Sequence, residues 1–125
     1  MNIKRSFILI VVLLLTACGG AQQTVAPPTA DPQIEKGRQV FQLNCAACHA
    51  TAADTIVIGP SLHGIATTAA TRREGLGARE YIELSILSPD EIVTEGYPDI
   101  MPKTFGTTLS GEEFDALVAY LLTLE

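Results

Sequence analysis

Two cysteines and a histidine stand close together in the sequence CAACH, as Cys45, Cys48 and His49. Two residues separate the thiols, and the imidazole follows directly after the second thiol. In this order each thiol can add to one vinyl group of a haem, and the imidazole can bind the iron. The CxxCH pattern therefore predicts covalent attachment of a c-type haem.

Three other interpretations of CAACH have less support. A thioredoxin-like CxxC needs a βαβ context, and the sequence shows no alternating strand pattern of useful length. A zinc site needs a fourth ligand at a suitable spacing, but the only other histidine is His63 and there is no second CxxC. A plain disulfide between Cys45 and Cys48 stays open as an alternative.

Met101 is the candidate for a second ligand to the iron. It lies in the segment EGYPDIMPK and is the only methionine after Met1. A lone methionine usually fills a gap in a core, but a loop flanked by prolines is a poor place for a filler and a good place for a fixed ligand. Its thioether is a soft ligand that suits haem iron in electron transfer.

The first of three predicted helices leads into CAACH. Asp31 suits its N-cap and Pro32 suits its first turn, and the helix should end near Asn44. The helix thus determines where the two thiols lie. The predicted buried face of this helix consists of Ile34, Gly37, Val40 and Phe41.

The other two predicted helices lie later in the chain. One spans about 78–87 and ends at Ser88, because the residue before Pro89 disfavours helical backbone. The other begins at Ser110, which can form a capping box with Glu113. The predicted core-facing residues are Tyr81, Leu84 and either Ser85 or Leu87 in the first, and Phe114, Leu117, Val118 and Leu121 in the second.

The regions between these helices are predicted to be loops. Residues 50–78 should contain at most short turns, and residues 88–109 should be extended or looped. The predicted fold class is therefore all-α, with three main helices and long loops around one haem. Long loops bury little apolar surface, so a large flat apolar group is expected to fill the middle of the domain.

Residues 1–17 are predicted to be a lipoprotein signal peptide. A short basic start precedes an apolar run at 7–15, which is about half of the roughly 20 residues that span a bilayer. The segment LTAC, ending at Cys18, resembles the bacterial lipobox, in which the cysteine is lipidated. An ordinary signal peptide is the alternative. Residues 18–31 are then a lipidated N-terminus and flexible linker, and 32–125 form the haem domain.

Charge narrows the choice of partners. Loss of residues 1–17 removes Lys4 and Arg5, so basic residues fall from 8 to 6 while all 14 acidic residues stay, for a formal charge of −8. Nucleic-acid binding is not expected, because it needs a basic face. Attraction to anionic lipid is not expected either, so any membrane contact should come from acyl chains.

With CAACH, Met101 and the segment IGPSLHG at 58–64, the chain resembles a monohaem class I c-type cytochrome in its bacterial lipoprotein form. The resemblance covers about residues 32–125. It implies one covalent haem c whose iron is bound by His49 and Met101. It also implies electron transfer rather than enzymatic activity.

The same resemblance implies supporting roles for other residues. The carbonyl of Pro60 would accept a hydrogen bond from His49 and fix its tautomer. Gly37 and Phe41 resemble the pair on the first helix that packs against an aromatic residue of the last helix, here Tyr120.

Weaker signals lie elsewhere in the domain. Tyr97 could hydrogen-bond a haem propionate or simply pack, and we include it among the cofactor-binding residues. His63 is interpreted as a loop residue beside the haem rather than as a ligand. Arg72 and Arg73 could meet a propionate, but a solvated pair is favoured.

The predicted function is the transfer of single electrons between redox proteins. The chain would be a free carrier or a subunit of a respiratory or photosynthetic membrane complex, anchored on the extracytoplasmic face of a bacterial envelope.

The chain lacks the lysine-rich face of mitochondrial cytochrome c, so the partners of that protein are not implied. GYPDIMP also resembles haem domains fused to oxidase subunit II, but no copper-binding domain accompanies it. An enzyme or gas sensor and a structural subunit are the alternatives.

Overall fold

The computed structural model describes residues 31–125. The predicted signal peptide at 1–17, and the predicted lipidated linker at 18–31 except for Asp31, lie outside these residues. The described part is helical and contains no strand, which confirms the all-α prediction. Its elements are α1 (Pro32–Asn44), α2 (Ile65–Arg72), α3 (Ala78–Leu87), a 3₁₀ turn (Pro89–Glu91), α4 (Phe105–Thr108) and α5 (Gly111–Leu121).

Local sequence signals determine where the longer helices begin. The Asp31 carboxylate accepts a hydrogen bond from the Gln33 amide at 2.8 Å, and Pro32 occupies the first turn of α1. At the start of α5, the Ser110 hydroxyl accepts from the Glu113 amide at 3.3 Å, and the Glu113 carboxylate accepts from the Ser110 amide at 2.9 Å. The predicted N-cap and capping box are both confirmed.

Helices α1 and α5 pack closely through Gly37. A Cβ at this position would overlap the carbonyl of Ala116, so only glycine allows the two backbones to approach this far. Beside this contact the rings of Phe41 and Tyr120 lie 5.7 Å apart between centroids, tilted by 53°. The helix pair implied by the resemblance is therefore present. The core around it includes Val40, Leu117, Val118 and Leu121.

Helix α2 is a difference from the sequence prediction, which treated 50–78 as loop. Gly64 is the N-cap of this helix and has left-handed backbone at φ 68°. The hydroxyls of Thr67 and Thr68 both donate to the Gly64 carbonyl. Three alanines favour a helix here and three threonines oppose it, so propensity alone gives no clear prediction. Burial of Ile65 and Ala69 decides its conformation instead. The predicted loop at 88–109 likewise contains the 3₁₀ turn and the single-turn α4.

The buried face of α3 also differs from the prediction. Leu87 is 44% exposed and Leu84 is only half-buried, whereas Ile82 and Ile86 are buried together with Tyr81. The helix has apolar residues on more than one face, so periodicity alone could not choose between them. The prediction left either Ser85 or Leu87 as the third core-facing residue of this helix, and Ser85 is the one that lines the interior cavity. None of the helices in 31–125 is long and apolar enough to cross a membrane.

Candidate functional site

A cavity of about 290 Å³ lies between the end of α1, the loop at 58–62, helices α3 and α5, and the segment at 92–105. This volume is close to the lower end of the roughly 300–1,000 Å³ of ligand pockets. All six residues that the sequence assigned to haem attachment, contact or ligation line this one cavity. They are Cys45, Cys48, His49, Pro60, Tyr97 and Met101.

The CAACH segment continues α1 as a hydrogen-bonded turn. The amide of Cys45 donates to the carbonyl of Phe41 at 2.8 Å, and the amide of His49 donates to the carbonyl of Cys45 at 2.9 Å. Cys45 and Cys48 form no disulfide. The pKa of the Cys45 thiol is raised to about 11, first by burial in the apolar wall and then by the neighbouring Cys48. The turn thus brings both thiols to the same cavity.

The His49 imidazole is held in a defined orientation. Its Nδ1 lies 2.8 Å from the carbonyl oxygen of Pro60. Because a carbonyl can only accept, this contact requires a proton on Nδ1 and leaves the Nε2 lone pair available to a metal. Gly59 lies against the ring, since a Cβ there would come 2.5 Å from its Cε1 atom. The hydrogen bond expected from the resemblance is therefore present, with a glycine cradle that the sequence analysis did not identify.

Met101 and His63 have different environments. Met101 is half-buried and lines the cavity. His63 is exposed, it does not line the cavity, and its amide donates to the hydroxyl of Ser61 at 3.1 Å. Of these two residues, Met101 is therefore the one that can reach a group bound in the cavity beside His49.

Comparison with known families gives an independent result. The family model for cytochrome c matches residues 34–125. The chain belongs to the cytochrome c family. This result supports the class I c-type cytochrome and the small helical fold predicted from the sequence, and it implies the covalent haem c that the family binds. A search of curated proteins gave no match.

The residues of this cytochrome fit a covalent haem. The cavity wall is mainly apolar and includes the buried side chains of Ile82, Ile86 and Leu117, which suit a large flat apolar group. Among residues 31–125, no three His, Cys, Asp or Glu side chains come together as a metal site needs, so a zinc site at CAACH has no support. A thioredoxin-like site has none either, because the same residues contain no strand.

Some residues around the cavity of the cytochrome were missed or undervalued in the sequence. Ile82 and Ile86 were missed because the face of α3 was misassigned. Arg72 lines the cavity while Arg73 does not, although a solvated pair had been favoured for both. Arg72 stays exposed and makes no ion pair with a carboxylate of the described residues.

An ion-pair cluster beside Met101 was also missed. The ammonium of Lys103 lies 3.1 Å from a carboxylate oxygen of Asp99 and 3.4 Å from one of Asp90. The hydrogen bond to Asp99 is the main reason that the pKa of Lys103 lies above its ordinary value. No sequence signal pointed to Asp90, because it is brought close only by the fold.

Proposed function

We propose that this protein is a membrane-tethered cytochrome c that carries single electrons on one haem, with His49 and Met101 as the iron ligands. The observation that carries the proposal is a single apolar cavity lined by both thiols of CAACH, by His49 and by Met101. When bound, the haem supplies a one-electron couple at its iron.

The protein side chains have distinct tasks in this proposal. The thiols of Cys45 and Cys48 would attach the haem covalently. His49 would present Nε2 to the iron, because the hydrogen bond from its Nδ1–H to the Pro60 carbonyl orients the ring. The thioether of Met101 would be the second ligand to the iron, would favour the ferrous state and would leave no open site for a small molecule. The apolar wall excludes water from the ligands.

Electron carriage is favoured over an enzymatic or gas-binding role for two reasons. The chain contains one CxxCH, whereas a dihaem peroxidase needs two. Met101 also lines the cavity, so a second ligand is available to close the iron to peroxide and gases. Tyr97 lines the cavity as well and can donate its hydroxyl to a haem propionate.

The tether and the location are the second half of the proposal. Removal of the signal peptide at 1–17 would leave lipidated Cys18 as the N-terminus, and the linker at 18–31 would keep the domain near the membrane. As a coil its thirteen residues 19–31 span about 20 Å, which raises the effective concentration near membrane partners. We propose the extracytoplasmic face of a bacterial envelope and, as partners, redox proteins or a respiratory or photosynthetic complex.

A pair of variants tests whether Met101 is the second ligand to the iron. The wild-type ferric protein should show the weak sulfur-to-iron band at the red end of the visible spectrum. Met101→Ala should abolish this band, lower the potential and admit carbon monoxide to the ferrous iron. His63→Ala is the matched control and should leave all three unchanged. A wild-type protein that binds carbon monoxide readily and lacks the sulfur band would contradict the carrier function.

The anchor is tested separately. Mass spectrometry of the mature protein should identify acylated Cys18 as the first residue, and Cys18→Ala should release the domain from the membrane fraction. An unmodified N-terminus downstream of residue 18 would rule out lipidation without affecting the proposal for the haem.

A further inference from the structure

We propose that Lys103 is a positioning residue that holds the Met101 thioether in the cavity by joining the Met101 segment to the end of α3. The Met101 segment is defined here as residues 98–103. This inference rests on the proposed role of Met101 as an iron ligand. The structural observation behind it is the bridge from one ammonium to two carboxylates, Asp99 within the segment and Asp90 outside it.

The Met101 segment has few other polar links. Within the described residues, its only backbone hydrogen bond is local, from the amide of Ile100 to the carbonyl of Pro98 at 3.0 Å. Its other hydrogen bond is the contact between Lys103 and Asp99, which is also internal. The ion pair of Lys103 with Asp90 is therefore the one polar contact that connects the segment to another element of the described structure.

Asp90 is exposed, but it lies in a turn that backbone hydrogen bonds hold in place. It lies in the 3₁₀ turn that follows α3, beside the buried Pro89. The amide of Glu91 donates to the carbonyl of Ser88 at 2.9 Å, and that of Ile92 donates to the carbonyl of Pro89 at 3.2 Å. A side chain that binds Asp90 is thereby fixed relative to α3, whose residues Ile82 and Ile86 form the cavity wall.

The position of Lys103 in the sequence explains how it acts on Met101. Asp99 stands two residues before the methionine and Lys103 two residues after it, so their contact closes the segment around Met101. The second contact, with Asp90, then sets the place of this closed segment against α3. Pro102 restricts the backbone between methionine and lysine. Together these contacts limit how far the thioether can move from its place in the cavity.

The expected effect is moderate because the groups are exposed. The side chains of Lys103 and Asp90 are 52% and 51% exposed, and exposed ion pairs contribute little to global stability. The same ion pair is a larger share of the free energy of local opening, because local opening requires only the Met101 segment to move. We expect loss of the bridge to raise the open, methionine-free fraction about two- to fivefold, in line with the strength of exposed pairs.

The test uses the full-length, haem-loaded protein with Lys103→Gln. Its ferrous form should bind carbon monoxide about two- to fivefold faster than wild type, because carbon monoxide enters through the open, methionine-free form. Asp90→Asn should have the same effect, and Lys103→Arg should restore wild-type behaviour. Arg79→Gln is the matched control, because Arg79 is 49% exposed, close to the 52% of Lys103, and its ion pair with Glu83 at 3.2 Å does not involve the Met101 segment.

The outcomes separate this inference from the proposed function. If wild type shows no sulfur band, the ligand assignment of Met101 fails. If wild type shows the band and Lys103→Gln matches both wild type and Arg79→Gln, Met101 stays a ligand but Lys103 does not position it. A change that is equal in Lys103→Gln and Arg79→Gln would indicate a general effect of lost charge and would also overturn the proposal.

Discussion

The two parts of the cavity wall that carry His49 and Met101 are built in different ways. On the His49 side, backbone hydrogen bonds connect CAACH to the loop at 58–62. The Cys48 carbonyl accepts from the amides of Ile58 and Gly59, at 3.2 and 2.8 Å, and the Ala50 carbonyl accepts from the amide of Leu62 at 2.8 Å. On the other side, the Met101 segment has one local backbone bond and the ion pairs of Lys103.

This difference indicates that the two proposed ligands are held with different stiffness. A ligand fixed by several backbone hydrogen bonds moves only if its loop unfolds. A ligand held by exposed side chains can leave by a local opening, because few buried contacts are lost. We therefore expect His49 to stay on the iron under conditions that release Met101.

The largest effect is expected from removal of both thiols. In Cys45→Ser/Cys48→Ser no thioether can form, so His49 would have to hold the haem without covalent support. Acid–acetone extraction of the denatured protein should then remove the haem completely, whereas wild type should keep it. Haem that washes out of the wild type would contradict covalent attachment.

Gly59→Ala tests the rigid side directly. The new Cβ would lie 2.5 Å from His49 Cε1, and the amides of Ile58 and Gly59 both donate to the Cys48 carbonyl, so the backbone cannot easily move away. Overpacking of this kind costs about 1–3 kcal/mol, so the free energy of unfolding should fall by that amount.

Gly111→Ala is the control for Gly59→Ala. A Cβ at Gly111 would meet nothing within 4 Å, and alanine reduces the freedom of the unfolded chain, so stability should stay equal or rise by about 0.4–1 kcal/mol. Equal losses in the two variants, measured by chemical denaturation, would show that contact with His49 is not the cause.

Hydrogen exchange should reveal the contrast without any mutation. The amides of Gly59 and Leu62 donate to backbone carbonyls, whereas within the described residues those of Met101 and Lys103 donate to none. In the haem-loaded protein we expect the first pair to exchange at least about tenfold more slowly, because exchange there requires the hydrogen bonds to open. Similar rates for both pairs, measured residue by residue, would mean that the two sides are equally stiff.

The smallest expected effect is on the pH dependence of stability, through Glu35 in α1, the helix that carries the CAACH turn. The pKa of Glu35 is lowered from 4.5 to about 2, first by its hydrogen bond with Arg38 and then by that with Gln39. Between these two pH values the folded state therefore binds fewer protons than the unfolded state. The contribution of Glu35 to the free energy of unfolding is thus fully present above about pH 4.5 and is lost as the pH falls toward 2.

Glu35→Gln should make the pH dependence of stability shallower in that range. The slope should not vanish, because the pKa of Glu113 is also lowered, by its hydrogen bonds to Ser110. An unchanged slope in acid denaturation would show that the contact of Glu35 with Arg38 does not persist in solution.

The sequence by itself determined the features that depend on neighbouring residues. The Asp31 cap and the Ser110–Glu113 capping box are local hydrogen bonds, so they could be predicted and are confirmed. CAACH carries its two thiols and its imidazole within five residues, so its chemistry could be predicted too, although ligation itself stays a prediction. Met101 was identified because a lone methionine between prolines is unusual.

Only the tertiary structure decided the features that depend on residues far apart in the chain. Helix α2 buries Ile65 and Ala69, and this burial decides a segment in which alanines favour a helix and threonines oppose it. The cavity-facing side of α3 is set by what packs on it, which periodicity could not distinguish. The bridge from Lys103 to Asp90 joins positions 13 residues apart. In each case the deciding energy comes from contact with another element, and such contacts exist only after the chain has folded.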